Sequence, residues 1–340
     1  VIFLLFSLGL DFSFKKLLNV GRTAIIAALV IVSFMIILGF LVGMAMGWGI
    51  TNSVLLGGMI SMSSTAIIIK AFDDMGLRSQ KFTKLVFGIL IFEDLIAIVL
   101  MVLISTIFVG KSFEGTELIY GILKLVFFLV VWLIAGIYFV PIILKKAKNV
   151  LNDETLLVFS LGLCFCMVLF AMNVGFSSAL GAFVMGSVMA ETLEAERVEK
   201  IVRPVKDLFG AIFFVSVGMM VNFTVIIDYA FPILILVMTI IIGQIVFASM
   251  GLILSGQSLK VAIQSGFCLT QIGEFAFIIA MLGTNLGIID KFIYPIIVAV
   301  SVITIFITPY MMRLTEPAYN FLEKRLPENW KKHIEARATA

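Results

Sequence analysis

The sequence predicts an all-α, polytopic membrane protein, and three observations carry that prediction. Apolar residues make up 62% of the 340 positions and charged residues only 13%, whereas roughly a quarter of a soluble domain is charged. Runs of about 20 apolar residues recur along the whole chain, each long enough to cross a hydrocarbon core of about 30 Å. Lys and Arg collect in alternate connections between those runs, as the positive-inside bias requires.

Taken in order, the apolar spans fall near residues 1–10, 23–48, 53–72, 84–110, 118–144, 154–172, 174–191, 207–222, 229–255, 261–284 and 292–313. That makes about eleven, the first of them only about half a bilayer long and without an initiator Met, so further helix is expected upstream. One set of connections holds Lys15, Lys16 and Arg22; Arg78, Lys81 and Lys84; Lys145, Lys146 and Lys148; Arg197, Lys200, Arg203 and Lys206; and Lys260. The tail from Arg313 onward joins that set, while the intervening connections hold almost no basic residue beyond Lys111 and Lys291. The rich set and the C-terminus are therefore placed in the cytoplasm. Small residues at Gly39, Gly43 and Gly47, and again at Ser178, Ala182, Gly186 and Ala190, predict close helix packing.

Composition also excludes function classes. A net charge of +3, spread over short loops, offers no basic face for nucleic acid. Cys164, Cys166 and Cys268 lie inside apolar spans, and the only histidine, His333, lies in the polar tail. Neither a disulfide framework nor a histidine-based metal site is implied. No cofactor is expected, and the absence of a nucleophile and base pairing argues against an enzyme.

Away from connections and span ends, three acids remain inside the membrane: Glu93, Asp94 and Glu274. A charge at that depth costs at least about 2.5–3.5 kcal/mol and is rarely kept without a use. Glu93 and Asp94 lie nine and ten residues beyond Lys84, about 14–15 Å deep at 1.5 Å per residue. Adjacent carboxylates in a poorly hydrated place disfavour simultaneous ionisation. A proton and a dehydrated cation then compete for one site, which is what an exchanger needs. Lys70 and Lys124 lie close enough to span ends to reach water.

The backbone supplies a second signal. Ser61, Ser63, Ser64 and Thr65 sit near the centre of the 53–72 span, where hydroxyls can cap an interrupted helix. Thr270, Gln271 and Gly273 mark a similar interruption in the 261–284 span. Paired breaks in two halves of opposite topology are a transporter signature. Glu274 would begin the outer half-helix, meeting the positive end of its dipole; an anchoring role is favoured there over direct ion binding.

These residues resemble the monovalent cation:proton antiporter-2 proteins, in their Kef-type potassium efflux branch. Leu8-Gly9-Leu10-Asp11 resembles the family's Gly-Leu-Glu signature, and Ser63-Ser64-Thr65-Ala66 is similar to its broken-helix motif. Phe92-Glu93-Asp94 falls where the family carries its ion-binding carboxylate. The runs Phe213 to Met219 and Leu269 to Phe277 are similar to the Kef branch. The resemblance implies a sodium/proton-antiporter-like fold of about thirteen helices, with inverted repeats and two broken crossing helices.

The resemblance also implies a division of labour along the chain. Residues 1–22 are expected as an incomplete scaffold helix, 23–117 as the first part of a core transport domain and 118–150 as a linker helix. Residues 151–228 follow as a scaffold and dimerisation domain, 229–315 as the second part of the core, and 316–340 as a cytoplasmic tail. Carried over by position, Asp94 is the carboxylate that holds the transported K+ or Na+ and the proton, and Glu93 modulates it. Ser63, Ser64 and Thr65 line the crossing, with Gln244, Gln271 and Glu274 in support. Relatives of the Kef type usually have Gln before the key Asp, and sodium antiporters usually Asp; Glu93 is neither. The family's intramembrane Lys falls at about Gln244, which is uncharged.

The function expected is exchange of K+ for H+, with Na+ for H+ as the alternative. A cation channel or an organic-anion symporter is a more distant reading, since an anion would be a poor neighbour for two acids. The expected setting is the bacterial inner membrane, multi-pass, as a homodimer, with a cytoplasmic regulatory domain outside this chain as a possible partner.

Overall fold

The fold is seen in a computed structural model, which describes residues 2–11, 21–77, 79–109, 115–147, 152–174, 178–219 and 223–325, with positions 327 and 334. Lys15, Lys16, Arg78, Lys111, Lys148 and His333 lie outside the described residues, as do the side chains of Leu8, Asp11, Lys124, Phe213, Phe214 and Val217. The described elements are all helical. They are α1 (Ile2–Asp11), α2 (Arg22–Ala45), α3 (Gly49–Ile60), α4 (Thr65–Asp74), α5 (Lys81–Val109), α6 (Gly115–Ala147), α7 (Asp153–Val174) and α8 (Ser178–Ala190). There follow α9 (Ala195–Met219), α10 (Phe223–Asp228), α11 (Ala230–Leu254), α12 (Leu259–Cys268), α13 (Glu274–Asn285), α14 (Ile293–Arg313) and α15 (Thr315–Arg325). Among the described residues, five stretches are long and apolar enough to cross a membrane: Arg22–Ala45, Gly49–Phe72, Asp153–Val174, Ala230–Leu254 and Ile293–Arg313.

The helices turn their large apolar side chains outward as well as inward, which is the arrangement lipid rewards and water does not. On α2, Ala24, Ala27, Ile31, Met35 and Gly39 are buried while Leu29, Phe34, Ile37 and Leu41 are exposed. Small residues such as Ala24, Ala27 and Gly39 thus share the contact face with Ile31 and Met35, while Leu29, Phe34, Ile37 and Leu41 face outward.

The chain divides into two compact units. The first comprises Val1–Asn19 and Ile98–Met219. In it α8 packs against α1, α6 and α7, and α9 packs against α1. Gly9 and Gly186 face each other there: a methyl group on Gly9 would meet the Phe183 carbonyl, and one on Gly186 the Phe6 carbonyl. The small-residue stripe on α8 thus lets two backbones touch.

The second unit comprises Val20–Ala97 and Met220–Ala340, and holds a repeat of one pattern. A long helix, a helix broken in its middle and another helix occur first as α2, α3/α4 and the part of α5 up to Ala97, and again as α11, α12/α13 and α14. Both interruptions expected from the sequence are present, at residues 61–64 and 269–273. Within this unit α2 packs against α3 and α11, while α13 packs against α3 and α14. Gly39 and Gly43 serve that packing, since an added methyl would lie 2.6 Å from Gly57 Cα and 2.7 Å from Ser53 Oγ respectively. Gly47 does not: it has φ +76° and open space around it, and it turns the chain after α2. The period-four spacing hid a turn glycine inside a packing stripe.

The second unit is tied at both ends. Asn52 Nδ2 donates to Asp290 Oδ2 at 2.8 Å, and the Asp290 backbone N–H donates to Asn52 Oδ1 at 3.3 Å. At the other end Glu316 on α15 accepts from Lys260 Nζ at 3.0 Å and from Gln264 Nε2 at 3.2 Å, both on α12.

Candidate functional site

Unwound backbone in hydrocarbon must find its hydrogen bonds inside the protein, because each unsatisfied group costs several kcal/mol. Both breaks of the second unit bury backbone groups that find such partners. Ser61, Met62, Ser63 and Ser64 are buried, and so are Leu269 to Gly273. The two segments meet and satisfy each other: the Gly273 N–H donates to the Met62 carbonyl at 2.9 Å, and Ser63 Oγ donates to the Leu269 carbonyl at 3.2 Å. Gly273 is needed for the approach, since a methyl group there would lie 2.6 Å from the Ser63 carbonyl oxygen. Each broken helix thus brings a carbonyl-rich C-terminus and an N–H-rich N-terminus to one crossing.

The carboxylates expected from the sequence lie against the first break. Glu93 is fully buried on α5 and its Oε2 accepts the backbone N–H of Ser63 at 2.9 Å. Its Oε1 has no hydrogen-bond partner. Asp94, 7% exposed, accepts from Thr65 Oγ1 at 2.9 Å through its Oδ2. The pair is therefore split, as the turn of about 100° between neighbouring helical residues requires. Glu93 addresses the unwound backbone, and Asp94 addresses the first residue of α4. Both accept hydrogen bonds at the start of α4, from the Ser63 backbone N–H for Glu93 and from the Thr65 hydroxyl for Asp94.

Glu274 opens α13 and Ser64 Oγ donates to its Oε2 at 3.0 Å. Ser64 also caps α4 by accepting the Ile67 N–H at 3.4 Å. The acid at the start of one half-helix is thereby bonded to the cap of the other.

Gln271 and Gln244 are both fully buried. Gln271 Oε1 accepts from Thr308 Oγ1 at 3.3 Å while its Nε2 is unpartnered. Neither amide atom of Gln244, on α11, has a partner. Ser63 with Glu93, Ser64 with Glu274 and Thr65 with Asp94 thus form three bonded pairs at the crossing, Gln271 bonds to Thr308 on α14, and no hydrogen bond among the described residues joins the Gln244 side chain to any of them. Lys70 pairs with Asp74 at 2.7 Å on an exposed face.

The structure adds three residues that the sequence reading did not single out. Ser301, Thr304 and Thr308 form a buried hydroxyl stripe along α14. Ser301 Oγ donates to the Ile272 carbonyl at 3.3 Å, and the Ile272 N–H donates to Thr304 Oγ1 at 3.5 Å. Their spacing of three and four was visible in an otherwise apolar span and put them on one helix face.

Comparison with known proteins agrees with this architecture. The family model described as sodium/hydrogen exchanger, transmembrane, matches residues 1–313. The putative cation/proton antiporter YbaL of Escherichia coli K12 is 29% identical over 328 residues, covering 93% of this chain and 58% of that protein. The chain therefore spans little more than half the length of that relative. The K+/H+ antiporter subunit KhtU of Bacillus subtilis 168 is 27% identical over 335 residues, covering 98% of this chain and 82% of KhtU. Among solved structures, the sodium proton antiporter MjNhaP1 of Methanocaldococcus jannaschii superposes with a TM-score of 0.63 at 19% identity, over 99% of this chain and 83% of its own. That likeness extends to the fold.

Proposed function

The chain belongs to the transmembrane sodium/hydrogen exchanger family, in its Kef-type antiporter-2 branch, and from that premise we propose that it exchanges a monovalent cation for a proton by alternating access. The preferred cation is K+. Support comes from KhtU, whose name gives K+ and H+ as its ions.

The observation that carries this reading is the placement of two buried acids on one break. Glu93 and Asp94 are held by the Ser63 N–H and the Thr65 hydroxyl respectively. In the proposed cycle Asp94 holds either the cation or the proton, and Thr65 keeps its carboxylate aimed at the crossing. Cation and proton exclude each other there, so neither crosses without the other having left on the opposite side. Glu93 keeps its proton throughout and stays bonded to the first break. Gln244 stands uncharged where the resemblance expects Lys, so no fixed positive charge takes part and one proton balances one cation. The exchanger works in the cell membrane as a homodimer with its C-terminus in the cytoplasm.

Sodium is the second reading, favoured by the acidic character of Glu93 at the position where Kef-type relatives usually have an amide. The deciding experiment is dissipation of a pH gradient in proteoliposomes on addition of K+, Na+ or Li+, comparing the parent with Asp94→Asn. A parent that responds to K+ and a variant that does not is the expected result. Equal rates in the two proteins would remove Asp94 from the role given to it.

A further inference from the structure

The stripe on α14 reaches the carboxylates through hydrogen bonds that alternate with single steps along the chain. Thr304 donates its own hydroxyl proton to the Ser301 carbonyl at 3.0 Å, which leaves a lone pair for the Ile272 N–H. Ser301 donates to the carbonyl of the same residue. Ile272 is therefore gripped at both polar atoms by one helix. The next residue, Gly273, donates to Met62 across the crossing, and the residue after Met62, Ser63, donates to Glu93. Two residues further on, Thr65 donates to Asp94. Every residue from Ser301 and Thr304 to Glu93 in this series is buried, so no water competes for its bonds.

We propose that Ser301 and Thr304 are positioning residues for exchange: by fixing Ile272 they set the register of the two breaks and, through it, the place of the donors that hold Glu93 and Asp94. Hydroxyls on a membrane helix ordinarily bond back to their own backbone. Thr304 makes that bond and, in addition, serves the neighbouring unwound segment. Buried hydroxyl acceptors of this kind are costly to lose, because the N–H facing them is left without a partner. The effect of such a loss would be felt in how tightly the site binds its ions, since that geometry is held at one remove. This inference rests on the reading of Glu93 and Asp94 as the transport carboxylates.

The test uses the full chain in proteoliposomes, with apparent KM for K+, maximal rate and the pH profile of exchange measured for Thr304→Val, Thr304→Ser and Ser301→Ala. Thr239→Val removes a hydroxyl that bonds only to the Ile235 carbonyl of its own helix at 2.7 Å, and serves as control. Thr304→Val and Ser301→Ala are expected to raise apparent KM by about tenfold, the equivalent of losing one buried hydrogen bond, and to displace the pH profile. Thr304→Ser and Thr239→Val are expected to match the parent. The proposal is overturned if Thr304→Val keeps the parental KM and pH profile, or if its rate falls only in proportion to the folded protein recovered. Should Thr304→Val fail to fold, Ser301→Ala decides by the same two readings. A parent without any exchange would remove the transport reading and this inference together, whereas an active parent with silent variants removes the inference alone.

Discussion

Gly273 and Met62 are joined backbone to backbone at 2.9 Å, so the two interrupted helices are bonded to each other at the point where both lose their own ladders. The bond brings the start of α13 beside the segment that holds Glu93. Its dependence on a glycine is steric, since Gly273 has φ −93°, which any residue can adopt.

Gly273→Ala is therefore expected to separate the breaks. The added methyl would lie 2.6 Å from the Ser63 carbonyl oxygen and 3.0 Å from Ser64 Cα, both backbone atoms that cannot swing away. Exchange should fall at least about tenfold, with a lower melting temperature in detergent, because overpacking of this kind costs about 1–3 kcal/mol. Melting curves and proteoliposome rates of the purified variant check both.

Substitutions at the acids should separate by what each oxygen does. Asp94→Asn is expected to abolish exchange. Glu93→Gln retains a carbonyl acceptor for the Ser63 N–H and should remain active, whereas Glu93→Ala leaves that buried donor unsatisfied at a cost of about 1–3 kcal/mol. The ranking Glu93→Gln above Glu93→Ala, in both rate and melting temperature, is the measurable outcome. Equal loss in the two would mean that the Glu93 proton itself, and not its acceptor, is required.

Much of this arrangement was legible in the sequence, and for identifiable reasons. Ser61, Ser63, Ser64 and Thr65 in one apolar span, and Thr270, Gln271 and Gly273 in another, mark where a helix gives up its ladder, because hydroxyl caps and a glycine are unusual together at membrane depth. The acids stood out because charge in hydrocarbon is expensive. What could not be read were the partners. Ser63 and Glu93 are thirty positions apart and Gly273 and Met62 over two hundred, and no local pattern encodes such pairings. Ser301, Thr304 and Thr308 were masked by the habit of membrane hydroxyls to bond to their own helix. Gly47 continued a packing stripe by spacing alone, and only its positive φ reveals a turn.

Charge balance gives a third prediction. With Gln244 uncharged and Glu93 retaining its proton, one K+ moves against one H+ and no net charge crosses the membrane. Electrical recording on a solid-supported membrane should show no transport current under a K+ gradient that drives rapid pH change in the same liposomes. A current whose size follows the imposed potential would require a second titrating group in each cycle.

Competition at Asp94 fixes the sign of the pH response. Cation binding needs the carboxylate, and proton binding removes it, so the apparent affinity for K+ must fall as pH falls. Where the site is mostly protonated, each further pH unit should raise apparent KM by about tenfold; where it is mostly ionised, KM should stop changing. Saturating K+ outcompetes the proton, so the low-pH loss seen at limiting K+ should be largely recovered by adding more of it. Initial rates over a grid of K+ concentrations and pH values, with equal pH on both sides and exchange followed by isotopic cation flux, measure this directly. A KM independent of pH across the active range would mean that proton and cation bind to different groups, and that the two acids on α5 do not share the work in the way their separate partners at Ser63 and Thr65 suggest.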